Sequence, residues 1–131
     1  MSSSFFTQIG SDIDGEAAMD GNNDGSVSIS ADGSIVAIGN RYNDGNGGTR
    51  TDSGNVRIYQ NINGTWTQVG SDIDGEAAND HLGRSVSLSA DGSIVAIGAT
   101  GVDRDDNNIR TNGGSVRIFQ NLNGTWTQIG K

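Results

Sequence analysis

Residues 85–98 read SVSLSADGSIVAIG, and residues 26–39 read SVSISADGSIVAIG. In both stretches, alternating apolar residues and serines lead into Ala-Asp-Gly-Ser and then into an uninterrupted apolar run. The alternation predicts a half-buried strand, and the apolar run predicts a strand that is covered on both faces. Ala-Asp-Gly-Ser predicts a tight turn between them, in which glycine takes a positive φ. Two such stretches in one chain indicate a tandem repeat.

The repeat extends over nearly the whole chain, with a period of about 60 residues. Residues 71–78 repeat 11–18 without a change, and residues 123–128 repeat 63–68. A partial copy comes first, since residues 5–10 (FFTQIG) echo residues 125–130 (TWTQIG). The predicted organisation is an extra copy of the outermost strand at 1–10, a first unit at 11–70 and a second unit at 71–131.

Each unit offers four strand candidates. They lie at 26–30, 35–39, 55–60 and 65–69 in the first unit, and at 85–89, 94–98, 115–120 and 125–129 in the second. Asn-Gly pairs supply the hairpin turn before each last strand, which carries Trp66 or Trp126 as a packing anchor. No helical apolar period appears in the sequence. The predicted fold is all-β, with two four-stranded antiparallel meanders per chain, each resembling a β-propeller blade.

Composition argues against several classes of function. The formal charge of −8 disfavours binding to phosphate backbones and to anionic membranes, which attract clustered Lys and Arg. The chain has no cysteine, so neither a disulfide nor a zinc–thiolate site is available. No apolar run is long enough to span a membrane, and residues 1–6 lack the pattern of a signal peptide. We therefore expect no nucleic acid and no membrane partner, and the compartment stays unknown.

Three short stretches resemble the FG-GAP repeat of integrin-α-type β-propellers. Leu82-Gly83 stands at the FG element, Gly98-Ala99-Thr100 at the GAP element, and Gly114 leads the third strand. The first unit matches less fully, with Gly39-Asn40-Arg41 and no clear FG pair before Ser26. The resemblance implies a propeller with the Trp-bearing strand outermost, and an extracellular parent protein. The calcium loop of many family members is not carried over, because the turn between the first two strands is too short to wrap a cation.

A separate calcium motif lies before the first predicted strand. Residues 20–25 read DGNNDG, which matches the D-x-N-x-D-G start of an EF-hand loop. Asp20, Asn22 and Asp24 are therefore candidate ligands of a weakly bound Ca²⁺. The glutamate that would complete the loop is missing, since Ala31 stands at its position. A plain polar turn is the favoured alternative, and no other cofactor is expected.

The remaining polar candidates do not form a catalytic pattern. Asp103, Asp105 and Asp106 are an acidic cluster that has the same two interpretations, and His81 is expected to be a solvated loop residue. Paired carboxylates between the units could in principle act on glycosides. These are Asp12, Asp14 and Glu16, with their copies Asp72, Asp74 and Glu76. Their unchanged repetition indicates duplication, so we expect no catalytic residues and no enzyme activity.

Two blades are too few to close a ring, since propellers contain about 4–8. The uncovered end faces would be apolar patches of a kind that soluble proteins avoid. The sequence therefore predicts a head-to-tail, cyclic homo-oligomer, with a trimer favoured and a tetramer as the alternative. The predicted function is a non-catalytic, self-assembling scaffold, and near-identical units are also typical of a fragment or an engineered repeat protein. The alternative is a carbohydrate- or ligand-binding, lectin- or adhesion-like module, cation-dependent or not, with contacts from loops 40–54 and 99–114.

Overall fold

The computed structural model describes residues 6–15, 26–44, 51–100 and 114–130. Within these ranges the chain is all-β and contains no helix, so none of their segments is a helix that could cross a membrane. The first unit contains β1 (Ser26–Ile29), β2 (Ile35–Asn40), β3 (Asn55–Ile62) and β4 (Thr65–Gln68). A short β5 (Ile73–Asp74) follows. The second unit continues with β6 (Leu82–Leu88), β7 (Ile94–Ala99), β8 (Ser115–Leu122) and β9 (Thr125–Ile129).

The strands form two antiparallel sheets in chain order. The first sheet has the order β1-β2-β3-β4, and the second has the order β6-β7-β8-β9. The prediction of an all-β chain with two four-stranded antiparallel meanders is therefore confirmed. The sequence did not predict β5, which places Ile73 opposite Val56 and Asp74 opposite Asn55 on the first sheet. The connector between the units is thus anchored to β3 by backbone pairing.

The turns have the predicted glycine conformations. Gly33 and Gly92 take φ values of 78° and 76° between the first two strands of each sheet. Asn63 and Gly64 both have positive φ in the hairpin before β4, and the Gly64 amide donates to the Asn61 side chain at 2.7 Å. Such turns match the right-handed twist of the strands that they join.

The hydrophobic core lies between the two sheets. Its fully buried members come from both units and are Ala37, Val56, Ile58, Ile73, Leu82, Val95, Ile97 and Ala99. Strand β6 packs across β1 and β2. Each buried Val, Leu or Ile contributes roughly 1.5–3 kcal/mol relative to an exposed one. Since the core is shared, each sheet depends on the other for burial.

Small residues let the two sheets approach closely. The Ser26 hydroxyl donates to the Gly83 carbonyl at 2.8 Å, and the Leu88 amide donates to the Ser28 hydroxyl at 3.0 Å. A Cβ atom on Gly39 would collide with the Gly83 carbonyl. The serines of β1 therefore face a neighbouring sheet, as their size predicts.

Candidate functional site

Each sheet has two chemically different faces, and the repeat gives the same pair of faces to both. In the first sheet, Val27 is opposite Ile38 and Ile29 is opposite Val36, so these four side chains share one face, the aliphatic face. The other face is the serine face. Its members in the first sheet are Ser26, Ser28, Ala37, Gly39, Val56 and Ile58.

The second sheet repeats this division. Its aliphatic face carries Val86, Leu88, Val95 and Ile97. Its serine face carries Ser85, Ser87, Ala96, Gly98, Val116 and Ile118. Within the chain, the serine face of the first sheet packs on the aliphatic face of the second, as the Ser26 and Ser28 hydrogen bonds to β6 show. One face of each kind is left over.

The leftover serine face belongs to the second sheet, and it is exposed. Val56 and Ile58 of the first sheet are 0% and 1% exposed, because the second sheet covers them. Their repeat equivalents Val116 and Ile118 are 68% and 42% exposed. Ser85 and Ser87 are exposed as well, whereas Ser26 and Ser28 are half-buried. Equivalent positions thus differ only in whether a sheet lies against them.

The leftover aliphatic face belongs to the first sheet. Val27 and Ile29 are 72% and 59% exposed, whereas their equivalents Val86 and Leu88 are partly buried against the core. On the next strand, Val36 and Ile38 are half-buried and Val95 and Ile97 are fully buried. A second uncovered apolar surface is therefore formed by Val27, Ile29, Val36 and Ile38. The two uncovered faces have the composition of the two faces that already meet inside the chain.

A tryptophan in each sheet contacts the segment that precedes its unit. The Trp126 indole nitrogen donates to the Val69 carbonyl at 2.8 Å, and the Trp66 indole nitrogen donates to the Ile9 carbonyl at 2.8 Å. Both pairs are separated by 57 residues. The sequence predicted that the tryptophans are packing anchors, but it did not predict these hydrogen bonds. The feature that could have indicated them is the equal spacing between an Ile-Gly or Val-Gly pair and the tryptophan in both units.

A glycine follows each of these carbonyl groups, with a nearly constant backbone. Gly10, Gly70 and Gly130 have φ values of 72°, 72° and 75°. A Cβ atom on Gly10 would lie 2.8 Å from Trp66 Cδ1, and one on Gly70 would lie 2.9 Å from Trp126 Cδ1. A Cβ atom on Gly130 would meet no atom within 4 Å. The segment ending at Gly130 therefore has the conformation of an indole acceptor with open space beside it.

The connector carboxylates form local hydrogen bonds and an ion pair. Gln8 donates to Asp12 at 2.7 Å, and Gln68 donates to Asp72 at 2.6 Å. The buried Arg117 guanidinium lies 2.6 Å from a Glu76 carboxylate oxygen. In the first unit, the buried Arg57 donates to the Tyr59 hydroxyl at 2.9 Å and to the Asp14 carbonyl at 3.4 Å. These carboxylates and arginines therefore hold each connector to its sheet.

The aspartates of the two Asp-Gly turns are held by serines. Asp32 accepts hydrogen bonds from the Ser34 hydroxyl at 2.7 Å, from the Ser34 amide at 2.9 Å and from the Ser30 hydroxyl at 3.1 Å. These bonds, the Ser34 hydroxyl first, lower the pKa of Asp32. Asp91 is bonded in the same way, and the Ser93 amide is the first cause of its lowered pKa. Both carboxylates therefore stabilise the turns in which they lie.

The proposed calcium ligands Asp20, Asn22 and Asp24 lie outside the described residues, as do Asp103, Asp105 and Asp106. Among the residues that the structure does describe, no cluster of three His, Cys, Asp or Glu side chains could hold a metal ion. By repeat spacing, Asp20 corresponds to Asp80. The Asp80 carboxylate accepts the Glu76 and Ala77 amides, each at 3.0 Å, and lies 3.8 Å from Arg117. The second unit thus uses this position to build a turn.

The described part of loop 40–54 packs on the second unit, whereas most of loop 99–114 lies outside the described residues. The Leu82 amide donates to the Ser53 carbonyl at 2.9 Å, and the His81 amide donates to the Asp52 carbonyl at 3.1 Å. The His81 ring lies edge-on to Tyr42, with 5.6 Å between ring centroids. His81 lies in a loop, as expected, but it is half-buried and therefore only partly solvated.

A surface cavity recurs at equivalent places in the two units. In the first unit it is lined by the connector carboxylates Asp12 and Asp14 together with Tyr59 and Trp66. In the second unit, Asp72, Asp74, Phe119 and Trp126 line the equivalent cavity. An aromatic wall beside acceptor oxygens is the kind of surface to which a small polar ligand binds.

No protein-family model matches this chain, and no curated protein matches its sequence. The resemblance to FG-GAP repeats therefore stays a prediction from Leu82-Gly83, Gly98-Ala99-Thr100 and Gly114.

Proposed function

We propose that this chain is a non-catalytic, self-assembling β-propeller scaffold in which each sheet is one blade. The observation that carries the proposal is that equivalent positions in the two sheets differ in their exposed fraction. Ile58 is 1% exposed where a second sheet covers it, and Ile118 is 42% exposed where none does. The partner that fits the exposed serine face is another aliphatic face, and a second copy of the chain presents one.

The proposed contact repeats the one inside the chain. The serine face of one copy, with Val116 and Ile118, packs on the aliphatic face of the next, with Val27 and Ile29. Ser85 and Ser87 then occupy the place of Ser26 and Ser28, whose hydroxyl groups bond to the backbone of β6. The interface is heterologous, because different surfaces of the two copies meet, so closed association produces a cyclic ring.

The connector supports the same arrangement. Inside the chain, Ile73 pairs with Val56 and is buried. Its equivalent Ile13 is half-buried, and the equivalent of Val56 is the exposed Val116. In the proposed ring, Ile13 of one copy pairs with Val116 of the copy before it. Association therefore adds backbone pairing to apolar burial.

The energies favour a closed ring over an open pair. Val27, Ile29, Val116 and Ile118 are 72%, 59%, 68% and 42% exposed, so their full burial contributes roughly 4–7 kcal/mol per interface, at about 1.5–3 kcal/mol for a side chain that goes from exposed to buried. Association costs an estimated 4–15 kcal/mol in lost freedom and ordering. Since these ranges overlap, a single interface is marginal, and closure gives every chain two interfaces. We propose a trimer, with a tetramer as the alternative.

Solution mass tests the proposal directly. Light scattering at micromolar concentration should give a mass of three or four chains. Ile118→Asp places a charge in the proposed interface and should yield monomers that keep their fold by circular dichroism. Leu122→Asp is the matched control: Leu122 and its equivalent Ile62 in the covered sheet are both 49% exposed, so this position lies outside the contact. Cooperatively folded monomers of both the unaltered chain and a chain without residues 1–10, at every concentration tested, would overturn the proposal.

A ligand-binding, lectin-like module is the second candidate, and the recurring cavity beside each tryptophan is the observation that favours it. Aromatic rings and carboxylates are suited to the apolar and hydroxyl surfaces of a sugar. A glycan array with the unaltered chain, and with Tyr59→Ala, would detect such binding. The same array with and without added Ca²⁺ tests a cation-dependent form that uses Asp20, Asn22 and Asp24. Signal that is lost in Tyr59→Ala would establish this second function.

A further inference from the structure

Residues 6–10 lie beside the first sheet in the manner in which residues 66–70 lie beside the second. Ile9 offers its carbonyl to Trp66 as Val69 offers its carbonyl to Trp126, at 2.8 Å in both cases. Gly10 contacts the Trp66 ring as Gly70 contacts the Trp126 ring. Residues 6–10 therefore occupy, on the uncovered side of the first sheet, the place where a preceding blade would end.

This position is the one that a second copy needs. If the contact inside the chain is repeated between copies, the segment ending at Ile129-Gly130 of one copy arrives at Trp66 of the next. Residues 7–10 and 127–130 have the same sequence, Thr-Gln-Ile-Gly. Two identical segments then compete for one indole and one surface, and only one of them can bind.

We propose that residues 6–10 are a displaceable plug that limits head-to-tail association of this chain until the segment 125–130 of a second copy replaces it. The inference rests on the proposed function, because it assigns a control to the same interface. The plug occupies the surface beside Trp66 in the monomer, as the partner segment does in the assembly. It must therefore leave this surface before a second copy docks.

The geometry indicates which of the two segments leaves. Strand β9 is paired along its length with β8, from Leu122–Thr125 to Ile118–Ile129. Residues 6–9 belong to no strand, and Phe6 and Ile9 are 90% and 59% exposed. In the opposite case, β9 leaves and residues 5–10 of the next copy take its place on β8. Phe6 would then stand in place of Trp126. Since phenylalanine has no N–H donor, the bond from Trp126 to Val69 would be lost.

A matched pair of glycine substitutions tests the plug. Gly10→Ala places a Cβ atom 2.8 Å from Trp66 Cδ1 and 2.9 Å from the Gly64 carbonyl, which should expel the plug. The dissociation constant of the assembly should fall by roughly tenfold, the value of about one hydrogen bond and its contacts. Gly130→Ala meets open space in the monomer but blocks the arriving segment. It should raise the dissociation constant by a similar factor. Both glycines have positive φ, so the strain of an alanine is common to the two variants, and the opposite signs of their effects are the test.

Removal of residues 1–10 and a peptide added in trans complete the test. The shortened chain should associate as tightly as Gly10→Ala, and a synthetic peptide of residues 5–15 should reverse this effect. The same peptide with Gly10→Ala is the control and should not reverse it. Weaker association of the shortened chain would overturn the plug and assign residues 6–10 to ring closure. Unchanged association of the shortened chain would overturn the plug alone, and monomers of every variant would overturn both the plug and the proposed assembly.

Discussion

Ile58 and Ile118 occupy the same register position, opposite Ala37 and Ala96 in two sheets of nearly the same sequence. The Ile58 side chain is fully buried, whereas the Ile118 side chain is 42% exposed. The difference comes from the neighbour of each sheet and not from the residues of the sheet. In a repeat protein, the energetic role of a position depends on the stack in which the unit stands.

The largest difference is expected from truncation of these two isoleucines. Ile58→Ala removes buried methyl groups from the shared core and should destabilise the chain by roughly 2–5 kcal/mol. Ile118→Ala should change the stability of the monomer by only about 0.5 kcal/mol, as is usual for exposed positions. Urea unfolding at concentrations too low for association measures both. Equal effects would contradict the asymmetry of the two sheets.

The glycines of the two Asp-Gly turns should also differ in how much a substitution destabilises the chain. Valine at either glycine is strained by about 1–3 kcal/mol, because φ is positive in both turns. Gly92→Val should cost more, by roughly 1–3 kcal/mol of overpacking, because its Cβ atom would lie 2.5 Å from Ile35 Cδ1. At Gly33 the nearest atom is 3.9 Å away. Thermal unfolding of the two variants should separate them; an unchanged melting temperature for Gly92→Val would refute the turn assignment.

The tryptophans should differ by a smaller amount. Trp126→Phe removes a hydrogen bond at the interface between the units, and should destabilise the chain by about 0.5–1.5 kcal/mol. Trp66→Phe removes the equivalent bond to the exposed residue Ile9, so global unfolding should change less. Chemical denaturation, followed by circular dichroism, measures both. A larger effect of Trp66→Phe would show that residues 6–10 stabilise the monomer more than their exposure indicates.

The smallest effect is expected where the sheets do not differ. The pKa values of Asp32 and Asp91 are lowered from 3.8 by hydrogen bonds, so each ionised carboxylate stabilises the folded chain at neutral pH. This stabilisation is lost as the pH falls below 3.8 and through the lower pKa of the folded state. Asp32→Asn and Asp91→Asn should each reduce the acid sensitivity by the same small amount in unfolding experiments between pH 2 and 7. A clear difference between them would mean that the turns are not equivalent.

Local patterns in the sequence were sufficient for the elements of the fold. Strands were predicted from the alternation in residues 85–89 and from the apolar run in residues 94–98, and turns were predicted from the Asn-Gly pairs. The structure confirms these strands and turns. These features depend on neighbours within a few residues. Strand β6 began earlier than predicted, at Leu82, because a bulge between Leu82 and Ser85 extends its pairing with β7.

Long-range features could not be predicted in this way. Ile58 and Ile118 stand in nearly identical sequence contexts, so no local pattern distinguishes the covered from the uncovered sheet. The Trp126 bond joins a side chain to a main-chain carbonyl 57 residues away, and any residue type can supply that carbonyl. The pairing of β5 depends on the path of the connector over β3, which only the tertiary structure fixes.

The shared core has a consequence for biosynthesis. While a ribosome has released only residues up to the end of β4, Val56 and Ile58 have no covering sheet, because Leu82, Val95 and Ile97 are still to be made. The first sheet therefore emerges with an apolar surface that stays in contact with water until β7 has been translated. At about 5–20 residues per second, this interval lasts for seconds. A chaperone that binds exposed aliphatic strands would find its substrate in that interval.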